Sequence, residues 1–256
     1  MVAGAGPADT AAPVVAADTD AAAADAADTA VAVDAAGVAN AAVAVDAAGV
    51  ANANAAAVTG TSGTDVRSRR RAQTRSEILD AAWRLSARDG IAGLSLRDLA
   101  REVGMQAPSL YTYFDSKSAI YDAMFAAGFR ELDATFDDLE VEGEPVEVIA
   151  TAIEVFIAFC RASVPRYQLL FTRAVPDWEP SSEAYAVSVR SLERTAQLLS
   201  GLGIERPEDL DLLTALTTGM AAQQLANDPE GDRWQRLSRA AAQMFVAHVP
   251  HRTSRT

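Results

Sequence analysis

The first 66 residues contain no Leu, Ile, Phe, Tyr or Trp. A chain folds by burying such side chains, so this stretch cannot offset its own ordering entropy. Ala dominates it, with Asp, Val, Thr and Gly, and the string AVAVDAAGVANA occurs twice in tandem, at 30–41 and 42–53. Two copies are too few for a solenoid. Ala favours helix locally, but Gly37, Gly49 and the Val and Asn residues interrupt it. Residues 1–66 therefore read as a disordered Ala/Asp-rich acidic tail. The alternative is that the natural start lies further in. Any core must be built from residue 67 onward.

The charge is segregated in the same way. Residues 1–66 hold eight Asp and no Lys, Arg or Glu, whereas residues 67–117 hold ten basic against six acidic residues. Residues 118–256 are acidic again, with twelve basic against twenty-one acidic residues in a chain of net charge −13. A polyanion partner is thereby confined to the short basic segment. The single Cys and two His, the latter at His248 and His251, exclude a disulfide framework and a Cys/His zinc cluster. No metal or cofactor is expected. No stretch has the apolar length of a membrane span and the N-terminus lacks a secretory pattern, so the expectation is a cytoplasmic chain without a membrane partner.

Residue 67 opens the basic segment with Arg67, Arg69, Arg70 and Arg71. The spacing of Ile78, Leu79, Ala82 and Leu85 predicts a helix from about Ala72 to Arg88, closed by Gly90. Ser95 followed by Asp98 predicts a capped short helix through Leu96, Leu99, Ala100 and Val103, ended by Gly104. A third short helix is expected around Pro108 to Tyr113, and Asp115 is expected to cap a fourth that extends towards Leu139. Two short helices about a glycine turn in a basic segment form a helix-turn-helix pattern. The spacing alone fits an ordinary three-helix bundle equally well.

The residues themselves are more specific. ILDAAWRL from Ile78, DG at Asp89, SLRDLAREVGM from Ser95 and PSLYTYFDSKSAIYDAM from Pro108 resemble the DNA-binding domain of the TetR family of transcriptional regulators. The resemblance covers about a fifth of the chain. The sequence departs from the family's habit at Ser86 (often Phe), at the turn VGMQ (commonly AGVS) and at Pro108 (usually a small residue). After the acidic tail over 1–66, it implies an all-α protein: a three-helix helix-turn-helix domain over 67–130 with its motif at about 95–114, and a helical effector-binding and dimerisation domain over 131–256.

If the third helix lies in a major groove, Gln106 can pair with an adenine, and Ala107 and Pro108 can touch a thymine methyl. Ser109 and Thr112 can bond to bases or phosphates. Tyr111 and Tyr113 resemble the family's phosphate-reaching aromatics, whereas Leu110 and Phe114 have core spacing. Lys117 stands in a helix first turn, where the dipole disfavours a cation, so a phosphate partner is implied. Ser95 offers its hydroxyl and nearby backbone N–H groups to a phosphate. Arg67 to Arg71, with Arg70 and Arg71 among the candidate contacts, form an expected mobile arm that follows the backbone or a minor groove; a solvated charge run is the equal alternative.

Beyond residue 118 the pattern is helical throughout. A helix over Pro145 to Ala162 carries a polar stripe of Glu147, Thr151, Glu154 and Arg161 opposite Ile149, Ile153, Phe156, Ile157 and Cys160. The stripe makes Glu154 solvent-facing rather than catalytic. A short helix is expected near Pro165 to Arg173. A seventh presents Tyr185, Val189, Leu192, Ala196 and Leu199. An eighth runs from Pro207 to about Asn227, and a ninth begins near Asp232 with Leu237, Ala241, Met244 and His248 on one stripe.

The resemblance implies that the last two helices, rich in Ala215, Gly219, Ala221, Ala222 and Ala240 to Ala242, pair with a second copy. It also implies an apolar effector cavity, with Phe156, Cys160, Leu170, Phe171, Trp178, Thr214, Thr217 and Thr218 as candidate lining. Each of these residues is equally at home in a plain core.

The function expected is a homodimeric repressor that binds double-stranded palindromic operator DNA and is released by an unknown small-molecule effector. An all-α enzyme is disfavoured, because no nucleophile–His pair, paired carboxylates or phosphate loop is present. The remaining alternative keeps the fold to bind a small molecule without reading DNA.

Overall fold

Nine α-helices and two short 3-10 turns, with no strand, make up the described residues of the computed structural model, which are 62–249 apart from 138 and 140–142. The tandem repeat, most of the expected tail and His251 lie outside those residues.

Helix α1 (Ser62–Asp89) begins ten residues earlier than its apolar periodicity indicates. Residues 67–77 have no apolar stripe, but Arg, Gln and Ala are good helix formers, and extending an existing helix avoids a second nucleation. Side chains reinforce the extension: Thr74 Oγ1 donates to the Arg70 carbonyl at 3.0 Å, and Gln73 Nε2 donates to Glu77 Oε1 at 2.9 Å. The expected mobile arm of Arg67 to Arg71 is thus corrected to part of α-helix α1. Gly90, at φ 81°, ends α1 and leads into a 3-10 turn at Ile91–Gly93.

Helix α2 (Leu96–Glu102) is capped by Ser95 Oγ, which accepts from the Asp98 N–H at 3.4 Å. Gly104, at φ 67°, supplies the left-handed turn that redirects the chain. Helix α3 (Ala107–Leu110) follows, with Gln106 at its N-cap and Pro108 in its first turn. Ile78, Ala82, Leu99, Leu110 and Phe114 from these helices share one core. Helix α4 (Lys117–Thr135) is capped by Ser116, whose Oγ accepts from the Ala119 N–H at 3.0 Å. The expectation of Asp115 as the cap is off by one residue, and α4 stops short of Leu139.

Helix α5 (Pro145–Ala162) occupies the residues expected of it, with Ile149, Ile153, Ile157 and Cys160 fully buried and Glu147, Thr151 and Glu154 exposed. It packs against α8 (Pro207–Asn227) and α9 (Ser238–His248). Helix α6 (Val164–Phe171) touches α1, α4, α5 and the 3-10 turn after α1, so it joins the two halves of the fold. Arg166 of α6 fastens this junction by donating to Glu131 of α4 and, at 3.1 Å, to the Phe159 carbonyl.

Helix α7 (Ser182–Gly201) lies along α4 and buries Ala184, Ser191 and Leu199. Ser191 donates to Asp133 of α4 at 2.6 Å, which rotates the helix away from the expected face: Tyr185, Val189, Leu192 and Ala196 are half-buried. The segment before α9 is a 3-10 turn at Gln235–Leu237 rather than helix, and α9 buries Ser238, Ala241, Ala242 and Phe245. Met244, expected on the same stripe as Ala241, points outward and is 67% exposed. No single helix among the described residues is long and apolar enough to cross a membrane.

Candidate nucleic-acid interface

The short helix α3 divides its side chains cleanly. Leu110 and Phe114 are buried in the core, while Gln106, Pro108, Ser109, Tyr111 and Thr112 are exposed and Ala107 and Tyr113 half-buried. The amphipathic split is that of a helix pressed onto its domain by one edge, with the opposite edge offered outward.

Four residues cannot hold a helix of their own, so the position of α3 is set from outside. Two arginines of α1 do this. Arg71 Nη2 donates to the Thr112 carbonyl at 2.6 Å, and its guanidinium lies 5.4 Å from the centre of the Tyr113 ring. Arg75, one turn on, donates to the Tyr113 carbonyl and stacks 4.1 Å from the centre of the Phe114 ring. Cations at the carbonyl end of a helix satisfy both its orphan acceptors and its dipole. Sequence reasoning missed Arg75, because the spacing that brings it under Phe114 spans 39 residues.

Lys117 opens α4 beside this segment. Its ammonium sits 5.4 Å from the centre of the Tyr121 ring. Tyr121 is buried, its hydroxyl donates to the Ile91 carbonyl at 2.9 Å, and burial pushes its pKa up. Ser95 is half-buried at the start of α2, with Arg97 exposed two residues on. Arg70 is exposed on α1. With Arg67, Arg71, Thr74 and Tyr113 it lines an open cleft of about 330 Å³ between α1 and the end of α3. All eleven residues expected at a DNA interface therefore lie on α1, at the start of α2, on α3 with its cap and following turn, or at the start of α4, and none is sealed inside the protein. Arg67, already part of the expected arm, and Thr74 line the same cleft, and a spacing of i, i+3, i+4 and i+7 is the signal for Thr74 once α1 is known to start at Ser62.

Residues 78–124 match the model of the bacterial regulatory proteins of the tetR family. That stretch of the chain is similar to the TetR family. Segment 78–124 is the counterpart of the helix-turn-helix DNA-binding domain of that family, and α2 and α3 are the helices of the motif.

The HTH-type transcriptional regulator EthR of Mycolicibacterium smegmatis is 28% identical over 174 residues, covering 60% of this chain and 76% of that one. The HTH-type transcriptional repressor KstR2 of Rhodococcus jostii is 32% identical over 69 residues, 27% of this chain and 34% of that one. Most of the curated relatives are matched over about half of their own length or less. Among solved structures, the transcriptional regulator FadR from Bacillus subtilis shares the fold at a TM-score of 0.53 and 16% identity, over 68% of this chain and 99% of that one.

The candidate effector residues fall into two groups. Phe156, Phe171 and Trp178 lie in an aromatic seam: Phe156 and Phe171 have ring centres 5.2 Å apart, Phe171 meets Phe129 at 5.8 Å, and Trp178 meets Phe125 at 5.9 Å. Cys160 and Leu170 are fully buried in the same core. Trp178 also donates its indole N–H to Asp122 of α4 at 3.2 Å. Thr214, Thr217 and Thr218 stand half-buried on α8, where each hydroxyl donates to a carbonyl of its own helix. Among the described residues no group of three His, Cys, Asp or Glu is placed to hold a metal ion.

Proposed function

We propose that the chain is a homodimeric transcriptional repressor that reads a palindromic operator with α3 and is released by a small apolar ligand. The observation that carries the reading is the exposed edge of α3, with Gln106, Pro108, Ser109 and Thr112 outward while Leu110 and Phe114 anchor it. Gln106 pairs with an adenine and Ala107 and Pro108 meet a thymine methyl, in the pattern the major groove allows. Ser109 and Thr112 bond to base edges or phosphates. Tyr111, Tyr113, Lys117 and Ser95 hold phosphates on either side, with Arg70 and Arg71 alongside.

A second copy is required because one helix of this length gives limited affinity, and a palindrome demands two-fold symmetry. The outer faces of α8 and α9 support that pairing: Leu212, Ala215 and Gly219 on one and Ala240 and Met244 on the other are exposed. The aromatic seam between α4, α5 and α6 supports an apolar effector, and the neighbour FadR was solved in complex with stearoyl-CoA. Such a ligand acts only through different affinities for the two arrangements of the dimer. Helices α4 and α6, which touch both halves, are the elements that differ.

Selection of bound fragments from genomic DNA tests the proposal. It predicts recovery of a palindrome whose binding is lost in Gln106→Ala and weakened in Tyr113→Ala and Lys117→Ala. Retention of no fragment at low salt would overturn it in favour of a TetR-fold small-molecule-binding protein without an operator.

A further inference from the structure

One aromatic ring at the junction of the two halves is touched from three sides. Tyr121, one turn into α4, donates its hydroxyl at 2.9 Å to the Ile91 carbonyl, in the 3-10 turn between α1 and α2. The Lys117 ammonium stands 5.4 Å from the centre of the ring. The third neighbour is Trp178, 5.6 Å away between ring centres, and it belongs to the connection between α6 and α7, residues 172–181. Trp178 also meets Phe125 at 5.9 Å, and Phe125 heads a row that runs through Phe129 to Phe171 at 4.9 and 5.8 Å. Asp122, beside Tyr121, fastens the same connection twice with one oxygen. Its Oδ1 accepts from the Trp178 indole N–H and from the Ser181 backbone N–H, each at 3.2 Å. Pro176 and Pro180 stiffen the backbone between, and Asp177, at φ 57°, turns the chain immediately before Trp178. The ion pair from Arg173 to Glu179, at 3.7 Å, is exposed at both ends and adds little. The hold on α4 therefore comes from Trp178 and Asp122.

We infer that residues 172–181 form a strap latched to α4 by Trp178 and Asp122, and that the latch sets the position of the 3-10 turn at Ile91–Gly93 through Tyr121. The inference rests on the regulator reading above and deepens it, by naming the part that a ligand moves first. Trp178 is half-buried and carried by a connection, whereas Phe125 and Leu170 are sealed in the core on helices. Segments with few buried contacts open at the lowest cost, so spreading the aromatic row displaces Trp178 before its neighbours. Tyr121 then loses the ring packed against it, and its hydroxyl no longer fixes the turn that leads into α2. Trp178 and Asp122 are positioning residues that act through Tyr121.

Amide hydrogen exchange of the full chain, read beside its binding to a random-sequence DNA duplex, tests the latch. The Gly93 amide, which donates to the Gly90 carbonyl at 3.1 Å, reports on the 3-10 turn, and the Ser181 amide reports on the strap. Asp122→Ala should speed exchange at both by about tenfold, the fold-change of one hydrogen bond. Asp122→Asn keeps the accepting oxygen and should leave both rates at the wild-type value. Tyr121→Phe should speed Gly93 by itself, and adding Asp122→Ala should then raise it no further, whereas unconnected local packing gives additive changes. The Asp122→Ala chain should also bind the duplex severalfold more weakly, because the turn ahead of α2 and the Lys117 end of α4 are no longer held together. Faster exchange at Ser181 with Gly93 unchanged would overturn the latch, as would unaltered duplex affinity in a chain whose Gly93 has loosened; either leaves the DNA-binding reading intact. The expected Gly93 response in a wild type and variants that bind no duplex at low salt would overturn the DNA-binding reading and leave the latch standing.

Discussion

The guanidinium of Arg75 is held between two features of the recognition segment: it donates to the Tyr113 carbonyl and lies 4.1 Å from the centre of the Phe114 ring. The turn that follows the four-residue helix α3 rests on this contact. Arg75→Ala is expected to cost about 1–3 kcal/mol, the range for a lost charged hydrogen bond, with the stacking added. Thermal unfolding reads that loss. Arg75→Lys should recover little of it, because an ammonium has neither the planar stack nor the fork. Full stability in both variants would show that α3 is positioned by its core residues alone.

Gly128 is the crossing point of α4 and α6. A Cβ there would sit 3.0 Å from both Leu170 δ-carbons, and Leu170 is fully buried. Gly128→Ala should therefore destabilise by about 1–3 kcal/mol through overpacking. Adding Leu170→Ala makes room, so the double variant should lose less than the sum of the single losses. Urea unfolding of the four proteins measures this, and strict additivity would rule out the contact.

Gln224 is fully buried and uses its whole amide. Its Nε2 donates to the Asp228 carbonyl and, at 3.1 Å, to that of Gly231, and its Oε1 accepts from the Trp234 and Gln235 N–H groups at 2.9 and 3.2 Å. It thereby fixes the turn that leads from α8 to α9. Gln224→Ala should cost on the order of 3 kcal/mol by stranding several backbone groups. Gln224→Glu should do no better, since a carboxylate cannot donate to the two carbonyls. Wild-type melting of Gln224→Glu would refute the assignment.

Burial pushes the Cys160 thiol far above its ordinary range, against a smaller opposing effect from the Arg166 charge. The folded protein should resist iodoacetamide near neutral pH and react as soon as urea unfolds it. The thiol's pKa is raised on folding, so its contribution to stability is complete below the unfolded value of about 8.5. It is lost as pH climbs above that value, where the unfolded chain ionises first. Cys160→Ala should remove that part of the alkaline decline. Rapid alkylation of the native protein would contradict the burial.

Much of this architecture could be read from residue patterns. Helix α5 falls on its expected residues because it combines a proline start, a wide apolar arc and a polar stripe, all local signals. Ser95 caps α2 for the same reason. The spaced apolar residues of α7, Tyr185, Val189 and Leu192, are only half-buried, and Ser191 beside them turns inward to reach Asp133. That hydrogen bond joins residues 58 positions apart, which no local pattern shows. Met244 stands on the outer side of α9, whose inner side buries Ala241, Ala242 and Phe245.

Local chemistry in the chain therefore determined an all-helical protein, the position of the helix-turn-helix and the residues on the outer edge of α3, because apolar period, capping hydroxyls and glycine turns act within a few residues. Tertiary structure decided the rest. Arg67, Arg70 and Arg71 became one face of a long helix opposite Tyr113, and Arg71 and Arg75 took hold of carbonyls some forty positions away. Charges at such separations meet only after the core of Ile78, Leu110 and Phe114 has closed, since that burial offsets the entropy of bringing them together.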